Sequence, residues 1–385
     1  IEVELPVLRG KPTTTFRYEW RGTEREIDVA FGNIRDPNEV PDVVLQAAGD
    51  RPRIVIDFPF DEVGHSPDED LERLDEWTTR HQPTRTVCWM PSFLNTEGLI
   101  GLGRYVAIDE LLKGERFEQY TDQYSQRQRH DLKPVLVSQR DQLRSRLMEA
   151  VLIAYGVRSG DHPWVDSATA LTEHFRSLDP SLVVRPTTLP TLDGALGELC
   201  DQLLASAYPG HPHFDQKVTP GMIRTTWDEV QRALAEPDGR IVVESSRRAA
   251  LRTVANALEL GTMHESHFVI SRHWANLLDR HLAAAKDEGR TLTVGDMRAL
   301  IDDAPGGPRG LPPAIADLII LTVAAQTDHA LTHGGLAAEV TPGRPLDTSV
   351  GLRPEQLPTD EQWDRARQVA QQVFGITPGQ YVTGP

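Results

Sequence analysis

An aspartate follows directly on a short apolar run in RIVIDFPFDE, where Ile54-Val55-Ile56 leads into Asp57. An aspartate at the end of a buried strand can hold Mg²⁺ against a nucleotide, provided that a second loop cradles the phosphates. Asp61 and Glu62 follow within five residues, so the three carboxylates could also hold a metal ion in a hydrolase. Such a hydrolase needs a lysine or histidine beside the acids, and His65 is the local candidate.

The phosphate-binding loop that a nucleotide site requires is missing from the sequence. Its pattern, G-x-x-x-x-G-K-[ST], supplies backbone N–H groups and a lysine to the phosphates. The Gly10-Lys11 pair is followed by Pro12, and Leu5 stands where the first glycine belongs. We therefore expect no catalytic residue, no metal and no cofactor in this chain. Asp57 is predicted to be structural, with its carboxylate hydrogen-bonded to turn amides.

Charge is distributed unevenly along this chain of 385 residues, whose net charge is −17. Residues 36–80 include 13 acidic and four basic side chains, whereas residues 121–160 include seven basic and four acidic ones. The overall charge argues against a surface that grips nucleic-acid phosphates along its whole extent. The acidic stretch favours a solvated face or a docking surface for a basic partner. Its proposed members are Asp57, Asp61, Glu62, Asp68 and Asp70.

Composition indicates a soluble globular protein, with 39% hydrophobic and 25% charged residues. The best apolar run, AIADLIILTVAA, carries Asp317 and is shorter than the roughly 18 residues that a membrane helix needs, so it is predicted to be a core helix. Cys88 and Cys200 are too few for a disulfide framework or a zinc site and suit a reducing cytoplasm. Because the chain starts at Ile1, we expect a fragment of a longer protein.

The elements that must position these residues indicate an α+β fold that is mostly α-helical. Alternation around Arg21-Gly22-Thr23 predicts a β-hairpin, and strands are predicted at 54–58 and 86–90. Ser66 and Pro67 predict the start of a helix between those strands, which gives a small α/β layer over residues 1–98. A helical domain is predicted over residues 99–190. Its clearest helix follows Asp131, with Pro134 in the first turn.

Residues 191–340 are predicted to form helical and winged-helix-like modules, followed by a tail rich in proline and glycine with a terminal helix over 341–385. Modules of this kind bind DNA or proteins, so the fold alone does not decide which of the two this chain binds. Arg247, Arg248 and Arg252 start a helix predicted over 247–260 and could contact DNA or a partner. Because that helix continues as the apolar TVANALEL, we expect protein docking. The prolines of YPGHPHF predict a rigid surface turn around His211.

Several blocks together resemble one family, in the same order along the chain and over roughly residues 15–335. They are YEWRGTEREIDVAFGNIRD, RIVIDFPFDEVGHSPDED, LGRYVAIDELLKGERFEQY with its continuation, and YPGHPHF. The chain resembles the BrxC/PglY family, the large ATPase-like subunits of the BREX and phage growth limitation (Pgl) systems of bacteriophage defence, and PglY is the closer of the two.

The resemblance implies a cytoplasmic role in defence against bacteriophage, beside a DNA methyltransferase and an alkaline-phosphatase-like protein. It also implies ATP and Mg²⁺ bound at a P-loop near the N-terminus of a much longer protein, upstream of this chain. The chain is then a non-catalytic scaffold that docks partner subunits and couples them to nucleotide state. Two alternatives stay open, a DNA-contacting winged-helix module and a metal-dependent hydrolase centred on residues 57–62.

Overall fold

The computed structural model describes residues 13–49, 51–354 and 359–377, so the Gly10-Lys11 pair lies outside the described residues. The chain folds into two compact units. The first comprises the chain up to Tyr18 and Glu26–Ala207, and the second comprises Glu19–Arg25 and the chain from Tyr208 onward. Both units combine helices with small sheets, and helix predominates. The α+β class predicted from the sequence is therefore confirmed.

A mixed sheet forms the base of the first unit. Its described strands are β1 (Thr13–Trp20), β2 (Thr23–Phe31), β3 (Arg53–Ile56), β4 (Thr86–Trp89) and β5 (Phe175–Ser177). They lie side by side in that order. β2, β3 and β4 run parallel, and Ile54 lies opposite Val29 on one side and Val87 on the other. Every residue of β3 and β4 is buried, as in sheets that are covered on both faces.

β1 and β2 form the predicted hairpin around Arg21-Gly22. Both turn residues have a positive φ, 46° for Arg21 and 76° for Gly22. This left-handed pair matches the twist of the two strands and makes a two-residue turn favourable. A Cβ atom on Gly22 would lie 2.6 Å from the carbonyl oxygen of Gln216, so the position also requires a glycine for space.

Two helices accompany the parallel strands, α1 (Asp42–Leu45) and α2 (Pro67–Arg80). Ser66 and Pro67 take the N-cap and first helical positions of α2 as predicted, although the Ser66 hydroxyl makes no capping hydrogen bond. Leu74 and Trp77 of α2 are buried in one cluster with Val55 and Cys88 of the sheet. The first turn of α2 consequently lies near the carboxyl end of β3.

The remaining helices of the first unit are α3 (Thr96–Leu112), α4 (Arg116–Tyr120), α5 (Gln126–Ala154) and α6 (Leu192–Ala207). The predicted start of α5 after Asp131 is wrong, because the helix begins at Gln126. Ser125 caps it, and Gln128 completes a capping box that the sequence analysis overlooked. Pro134 consequently lies inside the helix and not in its first turn.

β5 explains why the α/β layer and the following helices share one unit. Although it lies within residues 99–190, it pairs antiparallel with β4, with Arg176 opposite Cys88. The observed division after Ala207 therefore differs from the boundaries at 98 and 190 that the sequence suggested.

The second unit contains two similar runs, each made of a helix, a strand, one or two further helices and a hairpin. Its described helices are α7 (Pro220–Leu234), α8 (Ser245–Ala250), α9 (His273–Asp287), α10 (Val294–Asp302), α11 (Pro313–Gln326) and α12 (Asp360–Phe374). Its strands are β6 (Arg240–Val242), β7 (Gly261–Met263), β8 (His267–Ile270), β9 (Leu292–Thr293), β10 (His329–His333), β11 (Leu336–Ala337) and β12 (Gly351–Pro354). The sheets are ordered β6-β8-β7 and β11-β10-β12-β9. β6 pairs with β8 of the first hairpin, whereas β9 pairs with β12, which follows the second hairpin.

The helix predicted over 247–260 is shorter and less regular in the structure. α8 ends at Ala250 and continues as a π-helical segment over Leu251–Ala255. The chain then turns, because the Asn256 side chain accepts a hydrogen bond from the backbone N–H of Met263 at 2.8 Å and Glu259 takes a positive φ of 56°.

α11 is the core helix that the sequence predicted. Every residue from Ile315 to Ala324 is buried. Asp317 lies within this run, and Arg298 neutralises it through two hydrogen bonds of 2.8 Å. Over the described parts of the chain, no helix is both long and apolar enough to cross a membrane.

Candidate functional site

The carboxyl ends of β2, β3 and β4 meet at one edge of the first sheet, where α/β proteins commonly bind ligands. Asp57 follows β3 at this edge. Its Oδ1 accepts hydrogen bonds from the backbone N–H of Ile34 at 3.0 Å and of Phe58 at 2.8 Å, and its side chain is buried. The Tyr155 hydroxyl donates to the Asp57 carbonyl at 2.5 Å. The structural use of Asp57 that the sequence predicted is confirmed.

Asp70 from the first turn of α2 is an acidic neighbour of Asp57. Both side chains are buried, at 2% exposure for Asp57 and 1% for Asp70. Burial first, and then the charge of Asp70, raise the pKa of Asp57 well above its usual range. Burial raises the pKa of Asp70 to about 6.

We infer that one proton lies between these two carboxyl groups. Two ionised carboxylates offer only acceptors, and neither Asp70 oxygen has a hydrogen-bond partner among the described residues. A shared proton turns one group into a donor and removes the like-charge repulsion. Asp57 and Asp70 thus form a buried acid pair, held between the end of β3 and α2.

Asp61 is occupied by a different set of partners. The Arg35 guanidinium binds it with Nε at 2.5 Å from Oδ2 and Nη2 at 2.9 Å from Oδ1, and the Asn33 amide donates to it at 2.8 Å. The hydrogen bond from Arg35 is the main cause that lowers the pKa of Asp61. Asp61 thus serves to tie the segment after β3 to the segment after β2.

The structure changes the membership of the acidic docking surface, while its docking role stays a prediction. Asp57 and Asp70 are buried and Asp61 is ion-paired, which leaves Glu62 and Asp68 exposed. Nor does His65 converge on Asp57, because its Nδ1 lies 2.7 Å from Glu69. Within the described ranges, no group of three or more His, Cys, Asp or Glu side chains could hold a metal ion.

The three arginines of the second unit also have internal partners. Arg247 Nη1 lies 2.7 Å from the buried carboxylate of Glu229 and 3.7 Å from Asp228. Arg248 donates from Nε to the Val243 carbonyl at 2.8 Å. Arg252 is exposed and makes two long contacts of 3.4 Å to backbone carbonyls. The structure therefore leaves Arg252 the freest of the three.

His211 occupies a polar cluster that the sequence analysis missed. The side chain is 4% exposed, so its prediction as part of a surface turn is wrong. Its ring stacks on Trp20 at 4.9 Å, Thr23 Oγ1 lies 3.2 Å from Nε2, and Arg25 Nη2 lies 3.1 Å from Nδ1. Burial first, and then the charge of Arg25, lower the pKa of His211 to about 3.

This cluster anchors the tip of the β1–β2 hairpin within the second unit. Arg21 donates to the His211 carbonyl at 3.0 Å, and its guanidinium lies over the Trp20 ring. Since His211 stays neutral at physiological pH, its hydrogen bonds serve structure. In the sequence, Gly22 at the turn and Trp20 beside it could have indicated a packed hairpin tip. Neither residue identifies His211, 190 residues after Arg21, as a partner.

Two family models match consecutive parts of the chain. One, described as the PglY fourth domain, matches residues 4–208, and the other, described as the fifth domain of the BREX system ATPase PglY protein, matches residues 221–324. The first model ends where the structure divides after Ala207, and the second model covers the part of the second unit up to residue 324. No solved structure matches the chain significantly. The first match alone covers more than half of the sequence, and the chain therefore belongs to the PglY family of the BREX phage-defence system.

Proposed function

We propose that this chain is a non-catalytic scaffold and coupling region of PglY that docks other subunits of the defence system. The observation that carries the proposal is the internal use of its charged side chains. Asp57 accepts two backbone amides and shares a proton with Asp70, while Asp61 and Arg247 each lie in an ion pair. None of these groups remains available for acid–base work at a substrate.

The two repeats of the second unit are proposed to be winged-helix-like modules. In modules of this type the helix before the hairpin reads the major groove of DNA. α11 takes this position in the second repeat, and its buried run Ile315–Ala324 contains no arginine or lysine. In the first repeat, α8 and its π-helical extension take the position. Their arginines are shared with Glu229 and with backbone carbonyls, which supports protein docking over DNA reading.

The DNA-contacting alternative depends on Arg252 and the exposed parts of Arg247 and Arg248. Three phosphate contacts would give a slope of about −3 in a plot of log affinity against log salt, so the affinity would fade near physiological salt. The net charge of −17 weakens the affinity for DNA further. The hydrolase alternative has less support, since His65 is paired with Glu69 and residues 57–62 offer no second convergent group.

A binding experiment tests the docking proposal. The chain is mixed at 0.15 M salt with each purified subunit of its system, including the methyltransferase and the alkaline-phosphatase-like protein, and with a short DNA duplex. We expect saturable binding to at least one subunit and little binding to DNA. Tight duplex binding that is abolished by Arg247→Ala, Arg248→Ala and Arg252→Ala together would instead establish the DNA-contacting module.

A further inference from the structure

β5 is the last strand of the first sheet, so among the described residues only one of its two edges is paired. Two backbone hydrogen bonds fix how the paired edge lies on β4. The N–H of Met90 donates to the His174 carbonyl at 2.8 Å, and the N–H of Leu178 donates to the Thr86 carbonyl at 2.9 Å. In an antiparallel ladder, every second residue bonds to the neighbouring strand. His174, Arg176 and Leu178 therefore direct their backbone groups toward β4.

The two residues between them, Phe175 and Ser177, direct their backbone N–H and C=O groups away from β4. Within the part of the chain that the structure describes, no backbone group bonds to them on that side. Equivalent groups of a strand recur every two residues, about 7 Å apart. A further extended chain presents its own donors and acceptors at the same spacing. The free edge of β5 is thus a template for one more strand.

A cavity of about 770 Å³ opens beside β5. Its lining includes Phe175 and Ser177 and also the coil segment 182–184, and no backbone hydrogen bond among the described residues joins the strand to that segment. The volume lies within the range of about 300–1,000 Å³ that is usual for ligand clefts. An extended chain therefore has room to lie beside the strand.

The cavity also offers apolar contact. Ile153, Val165, Leu171, Leu182 and Val184 line it, and each is partly exposed. Side chains of an added strand would alternate between its two faces, so every second one could meet this apolar lining. Peptides that add a strand to a sheet are recognised in this way, with backbone hydrogen bonds for affinity and contacts to alternate side chains for specificity.

We propose that β5 accepts an extended segment of another BREX subunit as an additional strand of the first sheet. The segment bonds through its backbone to Phe175 and Ser177 and carries apolar side chains at alternate positions. Arg176, the charged residue of β5, is paired with Asp75 of α2, so charge does not select the occupant at the strand itself. This assignment rests on the proposed docking function and names the surface that performs it.

The sheet edge of a second copy fits this site less well. Because segment 182–184 also lines the cavity, an incoming strand has to enter without a sheet attached to its far side. β5 of a second copy is bound to β4 and is flanked by the same segment. A flexible segment that becomes extended on binding meets neither obstacle.

Amide hydrogen exchange tests which backbone groups are used. Full-length PglY is measured alone and with each purified subunit of its system, and mass spectrometry with electron-transfer fragmentation resolves single residues. In the free protein, the amides of Phe175 and Ser177 should exchange fast and that of Arg176 slowly. Binding of the docked subunit should slow the first two by about tenfold or more.

Three results would contradict the proposal in different ways. Protection of Phe175 and Ser177 in free PglY would mean that the protein itself covers this edge. A subunit that binds without protecting them docks elsewhere, and the scaffold proposal then stands without this site. If no subunit binds PglY at all, both proposals fail.

Ser177→Pro removes one outward N–H group and leaves the ladder to β4 intact, since that ladder does not use it. Arg176 is already extended, as a residue before proline must be. We expect about tenfold weaker binding of the docked subunit. Ser177→Ala is the matched control. It loses only the hydroxyl that bonds to Asp179, so its affinity should stay within about twofold.

Ala170→Trp blocks the cavity without touching the strand. Ala170 lines the cavity, so an indole there should also weaken binding by about tenfold. Ala107→Trp, at an exposed alanine of α3 outside the cavity lining, should change it little. Thermal unfolding verifies that the variants are folded. Normal binding to both Ser177→Pro and Ala170→Trp would overturn the proposal, and loss with Ala170→Trp alone would assign the cavity to a ligand other than an added strand.

Discussion

Each unit of this chain buries carboxyl groups, and the two units neutralise them differently. In the first unit, Asp57 accepts two backbone amides, and we infer that it shares a proton with Asp70. In the second, Glu229 is fully buried but lies 2.7 Å from Arg247 and also pairs with Arg232 one turn along α7. A carboxyl group that is buried away from water can therefore be neutralised either by a proton or by a counter-ion. The two solutions respond to different perturbations.

The largest effect on stability is expected for Asp57, whose carboxylate accepts hydrogen bonds from two backbone amides. Asp57→Ala leaves the N–H groups of Ile34 and Phe58 without a partner, and we expect the free energy of unfolding to fall by about 3 kcal/mol. Asp57→Asn keeps an acceptor oxygen and can donate to Asp70, so it should stay within about 1 kcal/mol of the natural protein. Urea unfolding followed by circular dichroism measures both. Equal losses in the two variants would show that the charge, and not the acceptor, matters.

In the second unit, the next largest effect is expected when Glu229 loses its counter-ions. Substitution of both Arg232 and Arg247 by Ala leaves Glu229 buried without a cation, and we expect the melting temperature to fall by about 5 °C. Each single substitution should cost less than half of this, because the other arginine remains.

Glu229→Met in that doubly substituted background should restore most of the loss, since it removes the uncompensated charge. Calorimetry of the four variants measures the effect. A triple variant that is less stable than the double one would contradict this role of Glu229.

A smaller effect, in pH, distinguishes the proton from the counter-ion. The folded-state pKa values of Asp57 and Asp70 are raised, so the folded state binds more protons than the unfolded state and its stability falls as pH rises. For Asp70 the loss begins above the unfolded pKa near 3.8 and is complete above its folded pKa of about 6. Asp57 extends the loss to higher pH.

Asp70→Asn should therefore flatten the pH dependence between pH 5 and 8, and its advantage over the natural protein should grow toward pH 8. The difference in unfolding free energy between the two proteins, measured by urea titration at each pH, isolates the pair. A difference that is independent of pH would mean that no shared proton exists.

No effect is expected from nucleotide. Because the sequence lacks a phosphate-binding loop, the chain should bind neither ATP nor ADP up to about 1 mM in the presence of Mg²⁺. Isothermal titration calorimetry with the 385-residue chain tests this, and the full-length protein serves as the control. Saturable heat from the chain alone would place a nucleotide site within it.

The sequence predicted what depends on local spacing. Ser66 and Pro67 marked the start of α2, Arg21-Gly22 marked the hairpin, and Asp57 was expected at a strand end with its carboxylate on turn amides. Each of these features involves residues within one element or one turn, except that one of the two amides on Asp57 comes from Ile34 after β2. The capping box of Ser125 and Gln128 was equally local, and it was missed because Pro134 drew the predicted start of α5 toward itself.

Features that depend on distant residues could not be predicted from the sequence. Asp70 appeared to be a surface acid because it directly follows Asp68 and Glu69, yet tertiary packing of α2 buries it beside Asp57. The surface position predicted for His211 was based on the neighbouring prolines, whereas its contacts come from the tip of the β1–β2 hairpin. β5 contributes only three residues to the sheet, too few to be recognised by alternation. Burial and proton sharing follow from the assembled fold and have no signature in sequence spacing.

The length of α5 gives the first unit a mechanical property. Its 29 residues span about 43 Å. The end of the helix near the sheet is anchored, since Tyr155 donates to the Asp57 carbonyl and Trp89 donates to the Tyr155 carbonyl at 3.0 Å. Because α5 packs along α3, the two helices would tilt together. A tilt of about 10° at this anchor would displace the far end of α5 by about 7 Å over that length, which is more than the rise of one helical turn.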